Sequence, residues 1–201
     1  MRTMRRCDRQ TSPEEAWKIL ENADYMTLSM HGADGAPYGV SLSFVRVGSA
    51  LYFHCAHEGY KLESLRKDPA VCVTAVERQR TLAEAFSVAY RSAVAFGAAC
   101  RVEDAGEKQA ALLALCKKYA PDNAGAEAYI AQYPQVDVWR VDVKELSGKE
   151  QVDLQRIDLR RSLWYNRPRP FGEMVEWLKA PVLKTGDARA SVGSNPTLSA
   201  T

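Results

Sequence analysis

The sequence predicts a mainly β protein with peripheral helices, folded as an antiparallel barrel or sandwich. Short runs rich in β-branched and aromatic residues follow one another, and most of the links between them are of hairpin length. Helical periodicity is confined to a few short stretches, and no βαβ unit repeats. This pattern disfavours a doubly wound parallel sheet.

The first element is a helix predicted over about residues 13–22. Ser12 can accept a hydrogen bond as the N-cap, Pro13 suits the first helical position, and Glu15 completes a capping box. An apolar stripe of period 3–4 residues follows, so we expect this helix to cover the core.

Six strands are expected after this helix. The first four are YMTLSMH, APYGVSLSFVRV, ALYFHCA and AVCVTAV, in chain order. The run SVAYRSAVAFGAACRV is long enough for one bent strand or two, with Gly97 as a bulge or corner, and VDVWRVDV is the last strand. A longer helix, KQAALLALCKKY, precedes that last strand and stops before Pro121.

Composition excludes several classes of protein. The chain has 201 residues, a formal net charge of +2 and 46% apolar residues, as in an ordinary globular protein without a basic field for nucleic acid. No uncharged apolar run reaches the roughly 18 residues that a membrane helix needs. The start MRTMRRCDRQ does not lead into an apolar segment, so we expect a cytoplasmic protein that binds neither nucleic acid nor membrane.

Residues 51–76 are the segment best suited to chemistry. Gly59 permits a turn after a strand, and the short helix YKLESLRK follows with Lys61 in its first turn. A lysine there opposes the helix dipole, and this placement makes sense if an anion such as phosphate binds between the ammonium group and the free N–H groups. The alternative is a solvated surface lysine.

Strand alternation places side chains on two faces. Leu51, Phe53 and Cys55 share one face, and Tyr52 and His54 share the other. On the preceding strand, the side chains of one face are Gly39, Ser41, Ser43 and Val45. These serines, with His54, would form a polar floor on one wall, or merely the solvent face of an antiparallel sheet.

The five cysteines show no CxxC pair, so we expect reduced thiols and no disulfide framework. His54, Cys55 and His57 suggest a metal site at first sight. Neighbouring residues of one strand point to opposite faces, however, and cannot both bind one ion. We therefore predict no metal site.

The chain resembles the nitroimidazole-resistance (Nim) proteins of the pyridoxamine 5'-phosphate oxidase-like split-barrel superfamily. The resemblance is carried by PYGVSLSFV, LYFHCAHEGYKLESLRKDPAVCVTA, YRSAVAFGAACRVED, LCKKYAP and VKELSGKE, in order. It implies a domain over residues 1–150 that folds as a six-stranded antiparallel split β-barrel, forms a homodimer and binds FMN between the subunits.

The resemblance also implies the cofactor contacts. These residues are Tyr38, Val40, Ser41, Leu42, Ser43, His54, Cys55, Tyr60 and Lys61. Lys61 matches the superfamily lysine that contacts the FMN phosphate, in agreement with the argument from the helix start. Two positions depart from the Nim pattern: Ser41 stands where relatives usually carry proline, and Tyr60 where they often carry histidine.

The implied activity is FMN-dependent reduction of the nitro group of 5-nitroimidazole drugs to an amine. Small aromatic or nitroaromatic compounds are the expected substrates, and His54 is our candidate for the catalytic proton donor. The alternative is a non-catalytic split barrel that binds flavin or haem for sensing or storage. Pyridoxamine-phosphate oxidation is disfavoured, because VKELSGKEQVDLQRIDL lacks that enzyme's arginine cluster.

The C-terminal part differs in character. Residues 151–171 form an extension of unassigned role, and residues 172–201 show weak periodicity. The run GSNP near the end can be encoded as GGT TCG AAT CCC, which contains the T-arm consensus of transfer-RNA genes. We interpret 172–201 as a non-native tail read through a serine transfer-RNA gene; the alternative is an ordinary extension that docks on the barrel.

Overall fold

A computed structural model describes residues 3–133 and 135–151. The predicted tail over 172–201, and the extension before it from residue 152, lie outside the described residues. Within the described ranges, no helix is both long and apolar enough to cross a membrane.

The described chain consists of strands, helices and two 3-10 turns, Cys7–Arg9 and Ala83–Ala85. The helices are α1 (Pro13–Asn22), α2 (Tyr60–Lys67), α3 (Ala105–Tyr119) and α4 (Ala126–Ala131). The strands are β1 (Met26–His31), β2 (Pro37–Leu42), β3 (Val45–Val47), β4 (Ala50–Cys55), β5 (Ala70–Leu82), β6 (Ser87–Arg101) and β7 (Asp137–Gln151).

All strands belong to one antiparallel sheet in the order β2-β1-β5-β6-β7-β4-β3. Its two edge strands, β2 and β3, are consecutive in the chain and separated by only Ser43 and Phe44. Three residue steps of at most about 3.6 Å link them, so the sheet must curl until its edges meet. The edges are not paired with each other, and the predicted split barrel is confirmed.

The strand count differs from the expected six, because the run APYGVSLSFVRV forms two strands. The backbone N–H of Phe44 donates to the hydroxyl of Tyr119 on α3, at 2.9 Å, instead of joining a strand ladder. That hydroxyl donates in turn to the carbonyl of Asp24, at 2.6 Å. A hydrogen bond from a distant helix therefore divides the run.

The inside of the curled sheet is the core. Its fully buried side chains include Leu28, Phe44, Leu51, Phe53, Val73 and Val141, packed with Ile19 and Leu20 of α1. A second apolar cluster lies under α3 and includes Tyr52, Val138 and Leu115. Strand β4 is therefore covered on both faces over most of its length and becomes accessible only near its end, at His54.

The first helix forms as the sequence predicts. The side chain of Ser12 accepts a hydrogen bond from the backbone N–H of Glu15, at 3.2 Å, and α1 spans the expected residues. The later strands are longer than expected, because β5 and β6 pair as far as Leu82 and Ser87 through polar residues. Exposed pairs of this kind carry no hydrophobic signal in the sequence.

Gly97 marks a bulge, as predicted. The pairing register between β6 and β7 shifts between Phe96 and Gly97, and β6 continues as one bent strand. A Cβ atom at Gly97 would lie 2.2 Å from the carbonyl oxygen of Asp142. Only glycine lets the two backbones approach so closely.

We predict that Gly97→Ala lowers the free energy of unfolding by about 2–3 kcal/mol, because the β7 backbone must shift to admit the methyl group. Urea denaturation measures this change. Gly39→Ala is the matched control, since a Cβ there meets its nearest neighbour at 3.6 Å. Equal stability of the two variants would contradict the close approach.

Candidate functional site

The connection from β4 to α2 places Lys61 at the start of a helix. Gly59 is the N-cap with φ of +125°, a conformation that favours glycine, and no side chain caps α2. The N–H groups of the first turn therefore lack a side-chain acceptor, beside the half-buried Lys61. The Lys61 ammonium lies 5.2 Å from the centre of the Phe53 ring.

The charge of Lys61 acts on the end of β4. The His54 side chain is accessible to solvent, but nearby protein atoms remove part of its hydration. This desolvation lowers the pKa of the imidazole, and the positive charge of Lys61 lowers it further. Burial raises the pKa of the Cys55 thiol, and Lys61 opposes that rise. Near neutral pH, His54 is therefore mainly uncharged and Cys55 is a thiol, not a thiolate nucleophile.

Tyr38 and Tyr60 bring two predicted stretches together. Their rings meet edge to face with centroids 5.0 Å apart, which links β2 to the start of α2. The Tyr60 hydroxyl donates to Asp34 at 2.5 Å, and this hydrogen bond raises the pKa of Tyr60. A Cβ at Gly32 would lie 2.2 Å from that hydroxyl, so glycine makes room for Tyr60.

The rest of α2 fastens the same hairpin between β1 and β2. The hydroxyl of Ser64 accepts from the N–H of Ala33 at 3.0 Å, and Lys67 donates to the carbonyl of Ala33 at 2.7 Å. Nδ1 of His31 and Oδ2 of Asp68 add a hydrogen bond at 2.8 Å. The relative positions of β2 and α2 are thus set by hydrogen bonds as well as by the tyrosine pair.

The remaining predicted site residues, on β2 and just after it, differ in their exposure to solvent. Tyr38, Val40 and Leu42 are partly buried against the core, and Ser41 is exposed. Ser43 is partly buried and hydrogen-bonds to Tyr119 of α3. Because β2 is an edge of the sheet in the described part of the chain, its outer backbone groups are available to a ligand.

A buried carboxylate that the sequence analysis missed lies beside this region. Asp137 begins β7, pairs in register with Cys55, and its side chain is only 4% exposed. Its Oδ1 atom accepts from Nη2 of Arg101 at 2.8 Å and from Nδ1 of His57 at 2.9 Å. Burial opposes ionisation, yet these two hydrogen bonds prevail and lower the pKa of Asp137.

Several charged side chains act on the end of β4. The cations Lys61, Arg66 and Arg101 lower the pKa of the Cys55 thiol, and the carboxylate of Asp137 raises it. Because Arg101 is paired with Asp137 and Glu103, the attraction for an anionic ligand rests on Lys61 and Arg66. In residues 3–133 and 135–151, no group of three or more His, Cys, Asp or Glu side chains is placed to hold a metal ion.

An open antiparallel barrel with a cationic helix start beside a sheet edge defines the class, a split barrel. The chain belongs to the pyridoxamine 5'-phosphate oxidase family, whose model matches residues 12–150. This is a flavin-binding family, and the match contains every residue of the candidate site. None of the curated proteins compared with the chain matches it.

Solved structures with the same fold extend the comparison. A candidate 5-nitroimidazole antibiotic resistance protein from Bacteroides thetaiotaomicron is 28% identical, with 69% of this chain and 84% of that one covered and a TM-score of 0.58. A FAD-binding protein from Mesorhizobium loti is 22% identical (71% and 97% covered, TM-score 0.55). A FAD and heme binding protein from Mycobacterium smegmatis is 19% identical (96% and 91% covered, TM-score 0.61).

The lowered pKa of Asp137 predicts how its contribution to stability depends on pH. The stability advantage of the wild type over Asp137→Asn should be present at about pH 5 and should decline as the pH falls below 3.8, through the lowered pKa of the folded state. Urea denaturation between about pH 3 and 6 measures the difference. An advantage that stays constant over this range would contradict the ionised, hydrogen-bonded carboxylate.

Proposed function

We propose that the protein is an FMN-dependent oxidoreductase that reduces the nitro group of 5-nitroimidazoles or similar small nitroaromatic compounds. The flavin-binding family and the 28% identical neighbour support this proposal. Neighbours named for FAD and heme binding support a cofactor role of the fold without selecting FMN. We further propose that the protein acts as a homodimer with the flavin between the subunits.

One observation carries the proposal. The two stretches that the resemblance assigns to the cofactor, one on β2 and one from β4 into α2, lie far apart in the sequence. In the structure the two stretches meet through the contact of Tyr38 with Tyr60. Lys61 follows Tyr60 in the chain, and its charge lowers the pKa values of His54 and Cys55. Such convergence is what one ligand shared by both stretches requires.

The residues present fit a flavin phosphate. Lys61 and the uncapped N–H groups of α2 would hold the phosphate, a charge-assisted contact at a helix start. Ser41 would offer its exposed hydroxyl, whereas Val40 and Leu42, which pack inward, would contribute backbone groups. Bound flavin supplies electron pairs as it cycles between its oxidised and two-electron-reduced forms.

The other proposed contacts have narrower roles. His54 and Cys55 would line the site as uncharged groups, because the pKa of the imidazole is lowered and that of the thiol is raised. Tyr60 has its hydroxyl engaged by Asp34, so its contribution would be the ring and the backbone. The assignment of His54 as proton donor stays a prediction, and its lowered pKa weakens it.

A second candidate function is flavin or haem binding without turnover. His54 favours it, because an accessible, largely neutral imidazole is a suitable axial ligand for haem iron. A Soret band in protein incubated with haem, together with failure to take up FMN, would favour this candidate over the reductase.

We predict that Lys61→Ala raises the Kd for FMN about 10- to 100-fold, the equivalent of a lost charge-assisted contact of roughly 1.5–3 kcal/mol. Riboflavin lacks the phosphate, so its affinity should change little. Lys117→Ala, at an exposed lysine in the last turn of α3, is the matched control. Quenching of flavin fluorescence gives the Kd values, and an unchanged FMN affinity in Lys61→Ala would contradict the assignment.

We also predict that the FMN-loaded protein, reduced by dithionite under anaerobic conditions, is reoxidised by a 5-nitroimidazole. The return of flavin absorbance gives the rate, and chromatography identifies the amine. Free reduced FMN at the same concentration is the control. Stable FMN binding without reoxidation faster than that control would support the non-catalytic candidate.

A further inference from the structure

His57 and Asp137 form a carboxylate–histidine pair next to the proposed flavin site. The imidazole donates from Nδ1 to Oδ1 of Asp137 at 2.9 Å, since a carboxylate can only accept. The carboxylate is buried, and the imidazole is half exposed. Its second nitrogen, Nε2, is thereby left as the one that can exchange a proton with a ligand.

The pair is held from three elements. Arg101 on β6 donates to the same Oδ1 atom at 2.8 Å, and Asp137 itself is fixed by its register with Cys55 of β4. Arg66 of α2 donates to the backbone carbonyl of His57 at 3.2 Å. The ring is thus oriented by a carboxylate that is in turn oriented by a guanidinium, the arrangement expected of an acid–base residue.

The contrast with His54 is informative. Among the described residues, none hydrogen-bonds to the His54 ring, whereas His57 has a buried carboxylate aligned with its Nδ1. A carboxylate at Nδ1 fixes the tautomer and stabilises the imidazolium that a proton donor must form. Both histidines belong to the segment of the proposed flavin contacts, so one of them can be tested against the other.

We propose that His57 is the proton donor for nitro reduction and that Asp137 is its positioning residue. This inference rests on the proposed function above. Reduced flavin would supply a hydride to the nitro group, and the imidazolium form of His57 would supply a proton from Nε2. The nitro group would then become a nitroso group and release one oxygen as water. One N–O bond would break, two O–H bonds would form, the flavin would be oxidised, and solvent would reprotonate His57.

The first test needs no cofactor. Heteronuclear NMR of the imidazole nitrogens reports which nitrogen of the neutral ring carries the proton. We expect His57 of the wild type to carry it on Nδ1, and Asp137→Asn to shift the population towards Nε2, the form usual for a free imidazole. A wild-type His57 protonated on Nε2 in its neutral form would overturn the pair.

The second test compares His57→Gln with His54→Gln in the anaerobic reoxidation experiment. We expect His57→Gln to bind FMN within about threefold of the wild type but to reoxidise about 100-fold more slowly, the effect of losing a general acid. Its rate should also lose the fall with rising pH that loss of the proton from a histidine donor gives. His54→Gln, at a proposed cofactor contact, should keep that dependence on pH whatever its effect on the rate.

The charged groups around His57 are Asp137, which accepts from its ring, Arg101, which donates to that carboxylate and pairs with Glu103, and Arg66, which donates to the His57 carbonyl. Asp137→Asn should therefore shift the pH profile without abolishing FMN binding. If Asp137→Asn does not fold, His57→Gln still tests the inference, because the His57 side chain is half exposed. Loss of the pH-dependent limb in His54→Gln instead would overturn the inference. A wild type that holds FMN but is never reoxidised would refute the proposed function itself.

Discussion

The short connection between β2 and β3 is the constraint on which the molecule depends. It ties together the two edges of one sheet, and the sheet has to curl to satisfy it. The hydroxyl of Tyr119 holds this connection by bonding to the backbone of Phe44 and of Asp24. Lys118 adds a hydrogen bond to the carbonyl of Ala23 and stacks 4.0 Å from the centre of the Phe44 ring. A single turn of α3 thus decides where the barrel stays open.

The open barrel explains why polar chemistry gathers at the end of β4. Most of this strand is sandwiched between the core and α3, and only its last residues emerge beside the start of α2. There a helix start, several cations and one buried carboxylate come together. Low exposure strengthens the ion pair of Asp137 with Arg101.

Local signals in the sequence predicted the local structure well. The cap at Ser12 and the helix start at Lys61 each depend on residues within a few positions of one another, and the bulge on β6 is marked by a glycine within a run of strand formers. The break at Phe44 and the burial of Asp137 depend on partners 75 and 36 residues away. An aspartate at the start of a strand looks like a solvent-facing residue until its partners are known. The meeting of β2 with α2 was available only through resemblance.

The contact between Gly32 and Tyr60 has an evolutionary consequence. Any side chain at position 32 would collide with the tyrosine hydroxyl, and that hydroxyl also holds Asp34 in the hairpin. A substitution at position 32 therefore requires the Tyr60 side chain to move or a smaller residue to replace it, and either change removes the hydrogen bond to Asp34. The residues at positions 32 and 60 should therefore covary among relatives, with glycine at position 32 wherever position 60 is tyrosine.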